Sequence, residues 1–177
     1  MLIALQGAVS QGVLWGIMVL GVFITFRLLD IPDMTCDGSF ALGGCVCAVL
    51  IVNNNVDPLL AVLAGMCAGA IAGAVTGILT TVFEIPAILA GILTQISLWS
   101  INLRIMAIGD ENATTKATLA VSVDKNDLLL SSRYVREPAL NNPLLLLVLL
   151  TAAVIALLYW FFGTEQGSAL RATGANQ

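Results

Sequence analysis

Long uncharged runs separated by polar breaks organise this chain, and their lengths decide what the runs can be. A helix needs about 20 apolar residues, with a range of roughly 17 to 25, to cross the hydrocarbon core of a bilayer. Runs at 2–26, 58–83, 86–108 and 143–162 meet that length, while 38–52 is short for a full crossing. The breaks carry start and stop signals. Arg27, Asp30, Pro32 and Asp33 end the first run. Asp57 and Pro58 open the third, as an N-cap followed by a proline at the first helical position, and Glu84, Ile85 and Pro86 stop it. Pro86 then opens the fourth. The pattern predicts an all-α, polytopic transmembrane helical bundle of about five membrane helices, forming a single domain over 1–177.

The longest interruption, 109–142, holds nine of the eighteen charged residues and reads as an extramembrane loop. Within it, 117–123 alternates in the manner of a short strand or hairpin arm. After Phe162 the chain turns polar again, over 163–177.

Composition sharpens the membrane reading. Apolar residues make up 59% of the chain and charged ones only 10%, and the mean hydropathy is +0.98, so water is not its main solvent. The 7 basic residues form no cluster, which removes nucleic acid as a partner and leaves the lipid bilayer as the surrounding medium. The first run lacks the basic n-region of a signal peptide and exceeds an h-region of about 7 to 15 residues, so it reads as a retained membrane helix.

No catalytic constellation is present. The chain has no histidine, no HExxH, no nucleophile elbow and no phosphate-cradling GxxxxGK[ST], so it reads as a non-enzyme that needs no cofactor. Any energy the process needs comes from another subunit. Cys36, Cys45, Cys47 and Cys67 lie in or beside apolar runs without a CxxC pair, and read as reduced, buried structural thiols.

The polar and small residues inside the runs carry the remaining information. Ala61, Gly65, Gly69, Gly73 and Gly77 recur every four residues and form a stripe on which another helix backbone can lie close. Such a seam serves either packing within the chain or a gate or subunit interface. Asp30, Asp33 and Asp37, with Pro32 and Gly38 among them, form either a solvated interhelical turn or a re-entrant element bordering a pathway. Gln95, Asn102 and Arg104 place polar groups within the fourth run, where such groups tend to face a bundle interior or a cavity. Arg104, near one end, is equally explained by snorkelling to the interface. Asp33, Asp37, Gln95, Asn102 and Arg104 are therefore the pathway candidates.

Two strings resemble a known family. One is Arg27-Leu28-Leu29-Asp30-Ile31-Pro32-Asp33-Met34-Thr35 with Asp37-Gly38-Ser39-Phe40-Ala41-Leu42-Gly43, and the other is Gly167-Ser168-Ala169-Leu170-Arg171-Ala172-Thr173-Gly174. Together they resemble the permease subunits of ABC importers of the branched-chain amino acid and ribose type, over the N-terminal portion of that family. Within it the chain is similar to a subgroup associated with tryptophan and tyrosine, and the solute itself stays open.

The resemblance implies a permease subunit that moves an amino acid or similar small solute across the bacterial inner membrane. It implies an ABC ATPase subunit as partner, a second permease chain, and an extracytoplasmic solute-binding protein. It implies that 163–177 begins a cytoplasmic coupling segment, with Gly167, Ala169, Leu170, Arg171, Ala172, Thr173 and Gly174 facing the ATPase. The implied layout puts the N-terminus, 53–57 and 109–142 outside, and 27–37, 83–86 and 163–177 inside. Basic residues run the other way, with Lys116, Lys125, Arg133 and Arg136 outside against Arg27 and Arg171 inside. Family members continue with further spans, so the chain is expected to be truncated or a fragment, and the alternative function is a non-transporting membrane module or assembly partner.

Overall fold

Lipid offers no partner to a bare amide, so apolar runs of this length must close their backbone hydrogen bonds internally. The computed structural model, which describes residues 2–28, 30, 33–110, 113–119, 121 and 143–175, is helical throughout those runs. The elements are α1 (Leu2–Phe23), a π-helical turn (Ile24–Leu28), α2 (Thr35–Asn54), α3 (Pro58–Thr81), α4 (Ala87–Met106), α5 (Pro143–Gly163) and α6 (Glu165–Ala175). Among the described residues there is no strand. The alternation at 117–123 therefore does not become a hairpin arm at 117–119 or 121, and the rest of it lies outside the described residues. Just upstream, the Lys116 amide donates to the Leu103 carbonyl at 2.9 Å, and its ammonium pairs with Asp110 at 2.7 Å. Those contacts turn the chain back onto α4, and a lone arm has no partner strand to stabilise it.

Among the described residues, four helices, Gly7–Arg27, Thr35–Asn54, Pro58–Thr81 and Ala87–Met106, are long and apolar enough to cross a membrane. Leu147–Gly163 and Glu165–Ala172 reach that standard together as a pair bent by 77°, which brings the count to five. Their outward faces carry large apolar side chains such as Met66, Ile71, Ile96 and Leu157. A helix apolar all round belongs in lipid or inside a larger assembly, so this is a multi-pass membrane protein.

The chain forms two units. In Asp33–Ser131, α2 packs on both α3 and α4. The α2–α3 hairpin turns through Asn55 in the left-handed region (φ 48°), whose amide bonds back to the Leu50 carbonyl. Asp57 then caps α3 by accepting from the Leu59 amide, with Pro58 at the first helical position. Glu84, also left-handed (φ 54°), turns α3 into α4, so α2 and α4 run in the same direction.

The closest approach in this unit is backbone on backbone. A Cβ added to Gly65 would stand 2.7 Å from the Gly43 carbonyl oxygen, and one on Gly43 would stand 3.1 Å from that of Gly65. Further along, a Cβ on Gly69 would reach the Ser39 carbonyl at an ordinary 3.6 Å, while Gly73 and Gly77 face open space. The predicted stripe thus divides, its first half pressed on α2 and its second half without a neighbour among the described residues. A small core of Leu42, Ala72 and Leu98 sits beside the contact, with Val46, Ala68 and Ile105 packed on it.

In the second unit, Met1–Pro32 with Ser132–Gln177, α1 packs on α5 and the π-helical turn on α6. Thr25 marks the change from α- to π-helix, its hydroxyl donating to the Gly21 and Val22 carbonyls.

Substituting Gly65→Val forces α2 and α3 apart, and overpacking of this kind costs about 1–3 kcal/mol or more. The expected result is a clear drop in the thermal midpoint of the purified chain in detergent, with Gly73→Ala unchanged. An unchanged midpoint for Gly65→Val rules out the Gly43–Gly65 contact.

Candidate functional site

The start of α2 is where polar side chains are built into the apolar frame. An Asp33 carboxylate oxygen accepts from the Thr35 amide at 2.9 Å and also from the Thr35 hydroxyl. Thr35 is buried, so this carboxylate satisfies donors that would otherwise be stranded. The whole turn seats on α4 because Gly91 has no side chain there. A Cβ at Gly91 would meet the Met34 amide nitrogen at 3.0 Å and Asp33 Oδ1 at 3.3 Å. Gly38 makes the next close contact, against Leu98, with 3.1 Å from its missing Cβ to Leu98 Cδ1. Asp33 is thereby committed to holding the helix start. The helix begins at Thr35, three residues ahead of the apolar run, because this capping turn starts it there.

Beside that seat lies a groove of about 490 Å³ between residues of α2 and α4. Asp37, Gln95, Trp99 and Asn102 line it, together with Ile92 and Ile96, over a floor of Gly38 and Ala41. The α4 residues among these fall at spacings of three and four, a single helix face. Gln95 Nε2 donates to Asp37 Oδ2 at 3.4 Å. Asn102 is 7% exposed, and its side-chain oxygen has no hydrogen-bond partner among the described residues.

Hydroxyl side chains on α3 and α4 show why this one stands out. Thr94 and Ser97 donate to the carbonyls four residues back, at 2.9 and 2.8 Å, and Thr76 does the same at 3.4 Å. A hydroxyl can silence itself on its own helix in this way. An amide oxygen cannot, since it needs an N–H and the helix has already used its own. Leaving such an acceptor unpaired costs about 1–3 kcal/mol.

Of the five pathway candidates, the structure therefore gathers Asp37, Gln95 and Asn102 at one groove. Asp33 lies apart on the capping turn, and Arg104 is exposed and does not line the groove. Trp99 and Gly91 were not singled out from the sequence. The signal for Trp99 was its place four residues after Gln95 and three before Asn102.

The segment 163–177 has its own geometry. Thr164 caps α6, its hydroxyl oxygen accepting from the Gly167 amide at 3.5 Å while the hydroxyl donates to the Phe161 carbonyl at 2.6 Å. Gly167 is buried in the bend, where a Cβ would stand 2.5 Å from both Phe161 O and Phe162 Cα, so no other residue fits without reshaping it. Arg171 reaches back nine residues. Its guanidinium donates to the Phe162 carbonyl at 2.9 Å and lies 5.6 Å from the Phe162 ring centroid. That carbonyl belongs to the last turn of α5, which a cation stabilises. Ala169 and Ala172 are exposed, Leu170 is half-buried, and of Thr173 and Gly174 only the helical backbone is described.

Cys36, Cys45 and Cys47 are half-buried and in no disulfide, but Cys67, expected to be buried, is exposed on α3. The α2-facing positions of that helix are taken by smaller residues, Ala61, Gly65 and Ala72. Among the described residues no group of three His, Cys, Asp or Glu side chains is placed to hold a metal ion.

Comparison with known proteins supplies a family. Residues 4–177 match the family model described as the permease component of branched-chain amino acid transport systems. A tyrosine transport system permease protein of Clostridioides difficile is 37% identical over 97 residues, covering 55% of this chain and 32% of that protein. An uncharacterized protein of Rickettsia prowazekii is 29% identical over 124 residues, covering 70% of this chain and 43% of that protein. The chain thus spans less than half the length of either relative. No solved structure matches it.

Replacing the unpaired acceptor by an apolar side chain of similar size, Asn102→Leu, should stabilise the purified chain by about 1 kcal/mol or more. Asn102→Asp, which keeps a buried acceptor, should not. The check is the thermal midpoint in detergent, and a midpoint lowered by Asn102→Leu would mean the oxygen is paired in the native protein.

Proposed function

The chain belongs to the permease family of branched-chain amino acid transport systems, and from that we propose that it acts as the membrane-spanning permease subunit of an ABC importer. Its solute is an amino acid or a similar small molecule, and its place is the bacterial inner membrane. The observation that carries this reading is the α2–α4 groove, where Asp37, Gln95 and Asn102 present polar groups between helices whose other faces are apolar. Intramembrane polar residues mark solute pathways more often than structural sites. The groove forms part of such a pathway.

The bend at Gly163 supports the second half of the reading. A separate ATPase subunit docks on the exposed side of α6, at Ala169, Ala172 and their neighbours, on the cytoplasmic side. Because Gly167 and Arg171 fix α6 against the end of α5, movement of α6 is passed to α5 instead of being lost in a slack linker. A second permease chain uses the open half of the α3 stripe, Gly73 and Gly77, and an extracytoplasmic binding protein delivers the solute. Alternating access follows from helices rocking around the groove.

The test is retention of the co-expressed ATPase on the tagged chain in detergent. Ala169→Trp blocks the α6 surface without touching the bend, so it should abolish retention and solute uptake while leaving the thermal midpoint unchanged. Arg171→Glu should lose retention together with stability. Full retention in both variants would remove α6 as the docking surface. An unaltered chain that neither retains the ATPase nor restores uptake would leave the non-transporting module as the better account.

A further inference from the structure

We propose that a trough between α3 and α4 is a phospholipid site, where an acyl chain lies along the two helices and an anionic headgroup pairs with Arg104. The site stands apart from the α2–α4 groove and does not depend on the permease reading.

The trough measures about 250 Å³ and is walled by Ile71, Val75 and Leu79 of α3 and by Leu93, Ser97 and Ile101 of α4, over the small apolar core of this unit. None of the residues lining it is charged. Its two hydroxyls are already engaged, since Thr94 donates to the Ala90 carbonyl and Ser97 to that of Leu93. A polar solute therefore finds no group there to bond, while an acyl chain finds two apolar walls. In a bilayer such a trough is filled by a lipid tail, because a void forfeits the dispersion contacts of both walls. Gly73 and Gly77, the open half of the α3 stripe, lie two residues from Val75 and Leu79, about 200° round the helix, so a helix seated on them does not occupy the trough.

Arg104 decides which headgroup sits above that tail. Leu93, Ser97, Ile101 and Arg104 follow one another at spacings of four, four and three along one face of α4, so the arginine stands a turn beyond the last trough residue. It is exposed, and among the described residues no carboxylate or carbonyl accepts from its guanidinium. The Asp110 carboxylate, six residues on, is held by Lys116 at 2.7 Å. Length fits a lipid as well: from Leu93 to Arg104 is about 16 Å of helix, against about 15 Å for half the hydrocarbon core. A tail whose headgroup is at Arg104 thus ends near the bilayer midplane, at the far end of the trough. Snorkelling accounts for an arginine at a helix end but not for an apolar trough leading away from it. A guanidinium takes a phosphate through paired N–H bonds, and a zwitterionic headgroup offsets part of that gain with its own cation, so the site favours an anionic lipid.

The experiment exposes the full chain in detergent to dioleoylphosphatidylglycerol or dioleoylphosphatidylcholine and measures the lipid retained by native mass spectrometry. The anionic lipid should be retained about fivefold better. Arg104→Gln should lose that preference, whereas Arg27→Gln, the same change of charge at another helix end, should keep it. Ser97→Phe and Val75→Trp fill the trough from opposite walls without altering charge, and each should lose the retained lipid while its thermal midpoint without added lipid stays at the parent's. Equal retention of the two lipids overturns the proposal. So does a loss in Arg104→Gln that neither filling variant reproduces, which leaves an arginine at headgroup level with no tail site below it. Dimers that form without lipid and separate when the trough is filled would instead assign it to a second copy of the chain.

Discussion

The contact of the Gly43 and Gly65 backbones governs the unit that contains the groove. In lipid the tails are as apolar as a leucine side chain, so helices gain little by hiding hydrophobic surface from one another. Association depends on how many atoms can be brought to van der Waals distance, and that is greatest where no side chain intervenes. Gly43 and Gly65 set α2 on α3, and Gly91 receives the first turn of α2 on α4. Both contacts therefore act on α2. Its start is pressed on α4 at Gly91 and its middle is drawn to α3 at Gly43, so the faces carrying Asp37 and Gln95 stay near enough to bond while the space beyond them remains open.

That arrangement explains why the groove is polar in a chain that otherwise silences its polar groups. Threonine and serine along α3 and α4 turn their hydroxyls onto the preceding carbonyls and cost the membrane little. Asn102 has no such option for its oxygen, and no donor among the described residues reaches it. A packed membrane helix would be more stable with leucine at that place. Retaining an unpaired amide there is the mark of a position shaped by something other than folding.

Much of the architecture was legible from the spacing of apolar runs, because a bilayer imposes a length and a cap imposes a residue. Asp57 before Pro58 is read directly as a helix start, and the structure has it capping α3. The face shared by Gln95 and Asn102 follows from their separation of seven residues, two helical turns. The meeting of Gln95 with Asp37 does not, since it depends on which helix lies beside α4 and in what register. The same limit applies to glycine. Gly65 and Gly73 look identical in a four-residue stripe, yet only Gly65 meets a neighbour among the described residues, and Gly91, in no stripe at all, makes one of the closest approaches. Cys67 went the same way: an apolar setting indicates lipid or protein around a thiol but not which of the two.

The bend between α5 and α6 shows how one motif can serve two demands, and it restricts which of its residues remain available to a partner. Gly167 is consumed by the turn itself, where any side chain would strike Phe161 and Phe162. Arg171 is engaged with the Phe162 carbonyl and ring. A helix end leaves its last carbonyls without partners, and a guanidinium from the following helix satisfies one of them while fixing the angle between the two. Had Arg171 been free, a partner could have drawn on its charge directly. As it stands, the charge holds the geometry, and the surface left for contact is the short, small-residue face around Ala169 and Ala172. Small residues permit a close backbone approach, so a partner that grips α6 would do so mainly by shape, with Arg171 keeping that shape in place.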